Sequence, residues 1–466
     1  MPFESISGKL RLVADALRGR GTDLNEAPLG RAILFLAVPM VLEMVMESVF
    51  AVVDIFFVSR LGAGAVAAVG LTESMLAIVY TVAMGLSIGV TATVARRMGE
   101  GNPEGASVAT GQAIVLGMGV AVVLGVVGVW QAPALLRLMG AEGPVVAQGL
   151  GYTRLVLGGN GVVLLLFLLN AAFRGAGDAA IAMRVLWIGN ALNMVLDPLL
   201  IFGIGPFPEM GVTGAGLATV LGRGTAVGVQ LAVLLRFGDR LRLMARHLVP
   251  RVEVLLRLVR LSATATFQVF VSTASWIGLV RVIAGFGSEA LAGYTVAIRV
   301  VMFALLPAWG LANAAATLVG QGLGAGKPDR AEQAVRIAGR MNFAFLGSMG
   351  IFFLMFAPWV VGLFGVDSET ARHAIHGLRI ISAGFFFYGY GMVLTQAFNG
   401  AGDAWTPTWL NVGCFWALEI PLAWTLAYRA GWGPDGAFTA ITVAFSVVAV
   451  ASAALFRRGR WKTAVV

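Results

Sequence analysis

The sequence contains little charge and almost no cysteine or histidine. Charged residues make up 12% of its 466 residues, and there are one cysteine and three histidines. An average soluble domain carries about 25% charged residues. The single Cys414 permits no internal disulfide bond. His373 and His376 have no third candidate ligand nearby in the sequence, so we predict no metal site and no cofactor.

Apolar residues and glycine are abundant instead. Apolar side chains account for 58% of the sequence, 61 residues are glycine, and the mean hydropathy is +0.86. This composition excludes a soluble globular protein and is typical of helices that pack closely in lipid. The net charge of +9 does not indicate nucleic-acid binding, because the basic residues cluster between apolar segments. We therefore expect membrane lipids, and no nucleic acid, as partners.

Twelve apolar runs reach the roughly 20 residues needed to span a bilayer, and no cleavable signal precedes the first. Most of the 33 Lys and Arg residues lie in the N-terminal arm, the even-numbered loops and the C-terminal tail. The positive-inside rule then predicts that both termini are cytoplasmic. The predicted spans are 31–58, 65–95, 106–130, 145–172, 180–203, 212–235, 259–285, 290–320, 334–362, 371–398, 405–428 and 436–456.

These spans and the charge clusters predict five parts of the chain. The arm combines apolar residues at helical spacing with basic residues, so it is either an amphipathic helix on the membrane surface or a partly ordered tail. The basic segment at the middle of the chain is the linker between two halves. The parts are an arm at 1–28, six-helix bundles at 29–236 and 259–457, a cytoplasmic linker at 237–258 and a cytoplasmic tail at 458–466.

The two bundles are internal repeats. Residues 61–62 align with 286–287 and residues 101–104 with 326–329, while 172–179 and 397–404 share the pattern Phe-X-Gly-Ala-Gly-Asp. After a three-residue deletion, Gly214 aligns with Gly436. Six spans return the chain to its starting side, so the repeats are parallel and related by an axis along the membrane normal. A cavity is expected where they meet.

On this frame, four kinds of motif resemble those of the multidrug and toxic compound extrusion (MATE) transporters. They are the segment from Asp54 to Gly62, the loop 96–103, the two Gly-Ala-Gly-Asp turns and the segment 193–198. The resemblance covers about residues 29 to 457. It implies two six-helix bundles that form a V around a central cavity, in the plasma (inner) membrane of a prokaryote. It also implies export of drugs or metabolites on a proton or sodium gradient, not an enzymatic activity.

Acidic residues inside predicted spans indicate the same function independently, because a charge in the membrane is costly and marks functional sites. Glu43, Glu47 and Asp54 lie within about 40° of one another on the first helix and form one acidic stripe. Glu73 lies on the next helix. We predict that these glutamates line a cavity that attracts organic cations. Alternatively they hold helices together, neutral or paired with Arg223 or Arg299.

The fifth predicted span carries a second polar face. Asn190, Asn193 and Asp197 lie within about 60° of one another, and Pro198 removes a backbone donor just beyond the aspartate. The second repeat serves as an internal control, since Asp197 alone keeps an acidic counterpart there, Glu419. The aligned residues at the other four acidic positions, Glu43, Glu47, Asp54 and Glu73, are Gln268, Ser272, Leu279 and Ile298. The acids of the first half are therefore the functional candidates.

Within the family, the chain resembles the DinF type more than the NorM type. By position, the resemblance implies cation coupling by Asp54, Asn193 and Asp197, with weaker matches at Tyr152 and Thr219. Pro39 matches a proline at which the first helix is thought to bend. The acids that NorM members use in the second bundle have no clear counterpart, since those positions fall near Gln268 and Tyr388.

The predicted function is therefore an antiporter that exports organic, often cationic compounds in exchange for protons or sodium ions, and that works as a monomer. A flippase for lipid-linked precursors is the alternative from the wider superfamily. Flippases of that kind commonly add two spans and carry a basic cavity, whereas this chain has twelve spans and an acidic stripe. An intramembrane enzyme is disfavoured, because no span contains a nucleophile with a base or a cluster of metal ligands.

Overall fold

The computed structural model describes residues 6–19, 24, 26–237 and 240–464. Parts of the predicted arm, linker and tail, namely residues 1–5, 20–23, 25, 238–239 and 465–466, lie outside the described residues. Within the described ranges the regular structure is helical and includes no strand. The predicted all-α membrane fold is confirmed.

The helices follow one another with short connections. The first half contains α1 (Ile6–Arg18), α2 (Leu29–Ser59), α3 (Ala63–Gly99), α4 (Pro103–Leu138), α5 (Gly143–Gly158), α6 (Asn160–Ala176), α7 (Ala179–Phe202) and α8 (Val212–Ala232). The second half contains α9 (Val252–Ala284), α10 (Ser288–Gly324), α11 (Pro328–Gly362), α12 (Ser368–Ala383), α13 (Phe385–Ala401), α14 (Trp405–Asn411), α15 (Ile420–Trp424) and α16 (Pro434–Arg457). A π-helical stretch, Val412–Glu419, joins α14 to α15.

Twelve membrane spans can be counted in the part of the chain that the structure describes. Ten are single helical stretches that are long and apolar enough to cross a bilayer. The other two are bent pairs, α5 with α6 at 40° and α12 with α13 at 57°. Each bend lies at a glycine, Gly159 or Gly384, and these two glycines occupy the same position in the two repeats. The fourth and tenth predicted spans are thus broken helices.

The chain forms two compact units. The N-terminal unit consists mainly of Leu42–Thr266, and the C-terminal unit consists mainly of Phe267–Val466 together with Gly21–Val41. The boundary between them crosses α2 just after Val41, two residues beyond Pro39.

Equivalent glycines make equivalent helix contacts inside each unit. Gly177 and Gly402 end α6 and α13 with φ angles of 89° and 90°, a left-handed conformation that favours glycine. A second pair of glycines, Gly175 and Gly400, lies two residues before these helix ends. A Cβ on Gly175 would lie 3.0 Å from the carbonyl oxygen of Thr91, and one on Gly400 would lie 2.2 Å from that of Ala316. The predicted internal repeat is therefore present in the helix packing itself.

Close backbone contact also sets the position of α7 against α8 in the N-terminal unit. A Cβ on Gly222 would lie 2.6 Å from the Gly189 carbonyl oxygen, and one on Gly189 would lie 2.9 Å from the Gly222 carbonyl oxygen. Small residues of this kind let helix backbones approach in lipid. The contact brings the polar face of α7 next to Thr219 and Arg223 of α8.

Part of the basic segment after α8 is bound to α4. The Gln112 side-chain amide donates to the carbonyl oxygens of His247 and Val249, each at 2.8 Å, and its oxygen accepts from the Arg251 backbone N–H at 2.8 Å. A Cβ on Gly111 would lie 2.3 Å from the His247 carbonyl oxygen, so the segment lies directly on the α4 backbone.

Candidate functional site

A cavity of about 420 Å³ lies within the N-terminal unit. Its wall is mostly apolar, but it includes three acids from α2 and α3, two tyrosines and an arginine from α8. The lining residues are Glu47, Phe50, Ala51, Asp54, Ile55, Val66, Val69, Gly70, Glu73, Leu76, Tyr80, Tyr152, Val156, Gly159, Val162, Val163, Thr219, Val220 and Arg223.

Glu47 is the centre of a hydrogen-bond network at this wall. Its Oε1 accepts from the Arg223 Nη2 at 3.1 Å, and its Oε2 accepts from the Asn190 side-chain amide at 3.1 Å. The other terminal nitrogen of the Arg223 guanidinium, Nη1, donates to the Tyr80 hydroxyl at 2.9 Å. The Glu47 side chain remains 41% exposed, whereas that of Arg223 is only 8% exposed. The carboxylate is therefore accessible, while the guanidinium is held by α2 and α3.

Asp54 and Glu73 lie in the same cavity as Glu47. The hydroxyl of Tyr152, itself almost fully buried, lies near enough to the Glu73 carboxylate to act on it. The positive charge of Arg223 acts on both Asp54 and Glu73. One arginine thus stands against three carboxyl groups. When all three are ionised, the cavity carries a negative charge.

Asp197 does not line the cavity but is completely buried beside it on α7. Asp54 is close enough for its charge to act on Asp197. Neither carboxyl oxygen of Asp197, nor the amide oxygen of Asn193, has a hydrogen-bond partner in the described ranges. The Asn193 amide nitrogen donates to the Thr219 hydroxyl at 3.3 Å, and that hydroxyl donates to the Ala215 carbonyl oxygen at 3.0 Å. The structure therefore places three acceptor oxygens without donors in one buried region.

Glu43 departs from the prediction that it lines the cavity with Glu47. It is buried, and its Oε1 accepts from the Arg174 Nη1 at 3.2 Å and from the Asn170 amide at 3.1 Å. Both partners lie on α6, so Glu43 contacts a different helix from Glu47. The single acidic stripe predicted for the first helix is therefore divided. Helical angle alone cannot separate these two residues, because neighbouring helices supply a different arginine to each.

The residues of the C-terminal unit that align with Glu43 and Asp197 are also buried. Gln268 is 5% exposed and Glu419 is 4% exposed. Arg299, considered above as a partner for the acids of the first half, is exposed on α10.

Three residues of the N-terminal unit escaped the sequence analysis. Phe50 and Tyr80 line the cavity, and Arg174, seen only as part of a turn motif, is the partner of Glu43. A helical-face argument would have found the first two, since Phe50 lies one turn after Glu47 and Tyr80 lies two turns after Glu73. No local pattern distinguishes Arg174 from an ordinary basic residue at a helix end.

Comparison with known proteins identifies the family. The MatE family model matches residues 39–199 and 265–425, one match in each repeat. A relative from Bacillus subtilis (strain 168), named probable multidrug resistance protein YoeA, is 27% identical over 424 residues, which is 90% of this chain and 91% of that protein.

Two solved structures agree with this match. A MATE structure in the bent conformation has a TM-score of 0.87 at 26% identity and covers 96% of this chain and 97% of its own. A MATE structure in the straight conformation has a TM-score of 0.87 at 26% identity and covers 95% and 99%. This chain therefore belongs to the MatE family, the transporters that its motifs resemble, and is a multi-pass membrane protein.

Proposed function

We propose that the protein is a secondary active antiporter, which exports organic, often cationic compounds from the cytoplasm in exchange for protons or sodium ions by alternating access. It works as a monomer in the plasma membrane of a prokaryote, with both termini in the cytoplasm. The relative named as a multidrug resistance protein supports a drug or metabolite as the substrate. The positive-inside distribution of Lys and Arg supports the orientation.

The observation that carries this proposal is the state of Asp197. Burying an ionised carboxylate with no hydrogen-bond donor and no cation raises the free energy of the folded protein by roughly several kcal/mol. Such a group is stable only when it is protonated or when a cation is bound to it. The neighbouring amide oxygen of Asn193 also lacks a donor among the described residues, and oxygen is the ligand type that hard cations take. The site therefore fits either a proton or a sodium ion.

The cavity beside Asp197 supports the choice of substrate. Three carboxyl groups and one guanidinium face a space whose other lining residues are mostly apolar. A negative potential in a low-dielectric cleft raises the local concentration of cations. The apolar wall favours organic ones. Asp54 lines the cavity and also acts on Asp197, so it is the residue through which the substrate and the coupling ion would influence each other.

Transport from vesicles, with each gradient imposed alone, tests the proposal. We expect the wild-type protein to move ethidium when a proton or a sodium gradient is present, and not without a gradient. Asp54→Asn removes the charge that couples the two regions, so it should abolish gradient-driven transport while membrane insertion is retained. Glu100→Gln, at an exposed ion pair with Arg97, is the matched control and should transport normally.

Two results would count against this function. Wild-type transport rates in Asp54→Asn would remove Asp54 from the coupling mechanism. Scrambling of a fluorescent lipid-linked precursor, without movement of ethidium, would support the flippase instead.

A further inference from the structure

The guanidinium of Arg223 is surrounded by the groups that proteins use to bind organic cations. The carbon at its centre lies 5.5 Å from the centroid of the Phe50 ring and 5.9 Å from that of the Tyr80 ring. The Glu47 carboxylate accepts one of its N–H groups and the Tyr80 hydroxyl accepts another. Two aromatic rings with a carboxylate form the kind of cage that recognises planar or quaternary cations.

This cage is part of the cavity wall. Glu47, Phe50 and Tyr80 all line the cavity, and they come from two neighbouring helices, α2 and α3. Arg223 contacts them from another helix, α8. An organic cation in the cavity would therefore meet an anionic cage that the chain's own arginine already fills.

We infer that Arg223 is a built-in occupant of an organic-cation cage formed by Glu47, Phe50 and Tyr80, and that exported cations bind by displacing its guanidinium from Glu47. The cage itself does not depend on the proposed export of cations, whereas the displacement rests on it. The Glu47 carboxylate is the point of exchange, because it is accessible from the cavity while Asn190 holds its second oxygen in place.

The hold on Arg223 is incomplete, which makes displacement feasible. Its Nε has no hydrogen-bond partner in the described part of the chain. The charges of Asp54 and Glu73 act on the same guanidinium from other parts of the cavity. A guanidinium released from Glu47 therefore remains near two further acids, so its charge stays compensated.

Shortening the arginine tests the cage directly. Arg223→Ala leaves an empty space where the guanidinium was, beside the Glu47 carboxylate, which has then lost its positive partner. Purified Arg223→Ala should bind guanidinium chloride at millimolar concentration, and guanidinium should compete there with ethidium, at constant ionic strength set with potassium chloride. Ethidium alone should bind about tenfold more tightly to Arg223→Ala than to the wild type, since the internal competitor is gone. Wild-type affinity for ethidium should not respond to guanidinium.

Arg223→Ala leaves Glu47 without its positive partner, so three further variants guard against loss of folding. Arg223→Lys keeps the charge but lacks the planar fork, so ethidium should bind more tightly than to the wild type and less tightly than to Arg223→Ala. The double variant Arg223→Gln/Glu47→Gln has no charge left in the cage and should bind guanidinium no better than the wild type. Arg174→Lys, at the comparable pair with Glu43 outside the cavity, should leave ethidium affinity unchanged.

Binding is measured in detergent with no ion gradient, so the cage and the antiport are tested separately. Weaker ethidium binding by both Arg223→Ala and Arg223→Lys would overturn the displacement. If guanidinium has no effect on either Arg223→Ala or Arg223→Lys, the cage is wrong. Guanidinium binding by Arg223→Ala, combined with a wild-type protein that exports no cation under any gradient, would keep the cage and overturn the proposed function.

Discussion

The two units of this protein share a scaffold but fill its centre differently. In the N-terminal unit, Val69, Val163 and Arg223 line a cavity. The aligned residues of the C-terminal unit are Tyr294, Tyr388 and Phe445. Tyr388 and Phe445 pack against each other at 4.9 Å between ring centroids, and Phe445 packs against Phe415 at 4.8 Å. Aromatic rings therefore occupy positions where the first repeat carries small residues and a charge.

One of the acidic positions inside the spans carries an acid in both units, so its surroundings can be compared directly. Asp197 and Glu419 are aligned, and both are buried. Asp197 lies beside a cavity with other acids, whereas Glu419 lies among tyrosines and apolar residues: Tyr294 and Tyr388 are close enough to be affected by its charge. The surroundings of this position therefore differ between the two units. We expect the transport chemistry to reside in the N-terminal unit.

The largest difference should appear when each of these two acids is neutralised in turn. Asp197→Asn should reduce gradient-driven export of ethidium to the level of empty vesicles, because the amide neither gains nor loses a proton and carries no charge for a cation. Glu419→Gln should keep most of the wild-type export rate. Equal losses in the two variants would mean that both units take part in coupling, and the contrast drawn above would be wrong.

The shared scaffold should respond in the same direction in both units, but not equally. Gly400→Ala introduces a Cβ at 2.2 Å from the Ala316 carbonyl oxygen, so two helices must move apart; Gly175→Ala meets the Thr91 oxygen only at 3.0 Å. We expect destabilisation of about 3 kcal/mol for the first and about 1 kcal/mol for the second. Thermal unfolding in detergent measures both. Gly119→Ala, where the added Cβ has nothing within 4 Å, is the control.

A smaller effect should separate the two glutamates of α2. Glu47→Gln removes an accessible carboxylate from the cavity, so the affinity for ethidium should fall about tenfold. This change corresponds to about 1.4 kcal/mol of binding free energy. The affinity for an uncharged analogue should not change. Glu43→Gln removes the charge that pairs with the Arg174 Nη1 in a buried place and should lower stability by about 1–3 kcal/mol. The affinities of Glu43→Gln for ethidium and for the uncharged analogue should change by the same factor. A selective loss of cation affinity in Glu43→Gln would restore the single acidic stripe.

The smallest effect is expected at Pro39, near the point where α2 passes from one unit to the other. Proline removes one helical hydrogen bond and weakens the helix locally, so Pro39 is the predicted hinge. Pro39→Ala should slow ethidium export severalfold without changing its equilibrium binding. Transport at the wild-type rate would exclude Pro39 as a hinge.

Much of the fold was predictable because membrane helices obey local rules. Apolar length predicted the spans, and the repeated Gly-Ala-Gly-Asp turns predicted the duplication, since a left-handed residue such as Gly177 or Gly402 restricts the sequence at a helix end. The bends in the fourth and tenth spans were not predicted. The fourth span carries Gly158, Gly159, Asn160 and Gly161 around its bend, whereas Gly384 has no adjacent glycine in the tenth. Glycines are common where membrane helices pack closely, so their presence inside a span does not by itself indicate a break.

The candidate site was predictable only in part. Burial cost singled out Glu43, Glu47, Asp54, Glu73 and Asp197, because an ionisable group in a span is rarely accidental. Which acid faces a cavity and which faces an arginine depends on contacts between helices that are far apart in sequence. The distribution of Glu43 and Glu47 between Arg174 and Arg223 is such a contact, and no periodicity within α2 contains it.

The attachment of the arginine-rich segment to α4 has a consequence for handling this protein. Three hydrogen bonds to the Gln112 side chain hold the backbone around His247 and Arg251 on α4, although the arginines in this sequence suggest an open target for trypsin. Arg246 and Arg251 should therefore resist brief digestion as long as α4 is folded. Cleavage there would report the unfolding of the N-terminal half, and an affinity tag inserted at this point would be expected to dislodge the segment instead of extending freely into solution.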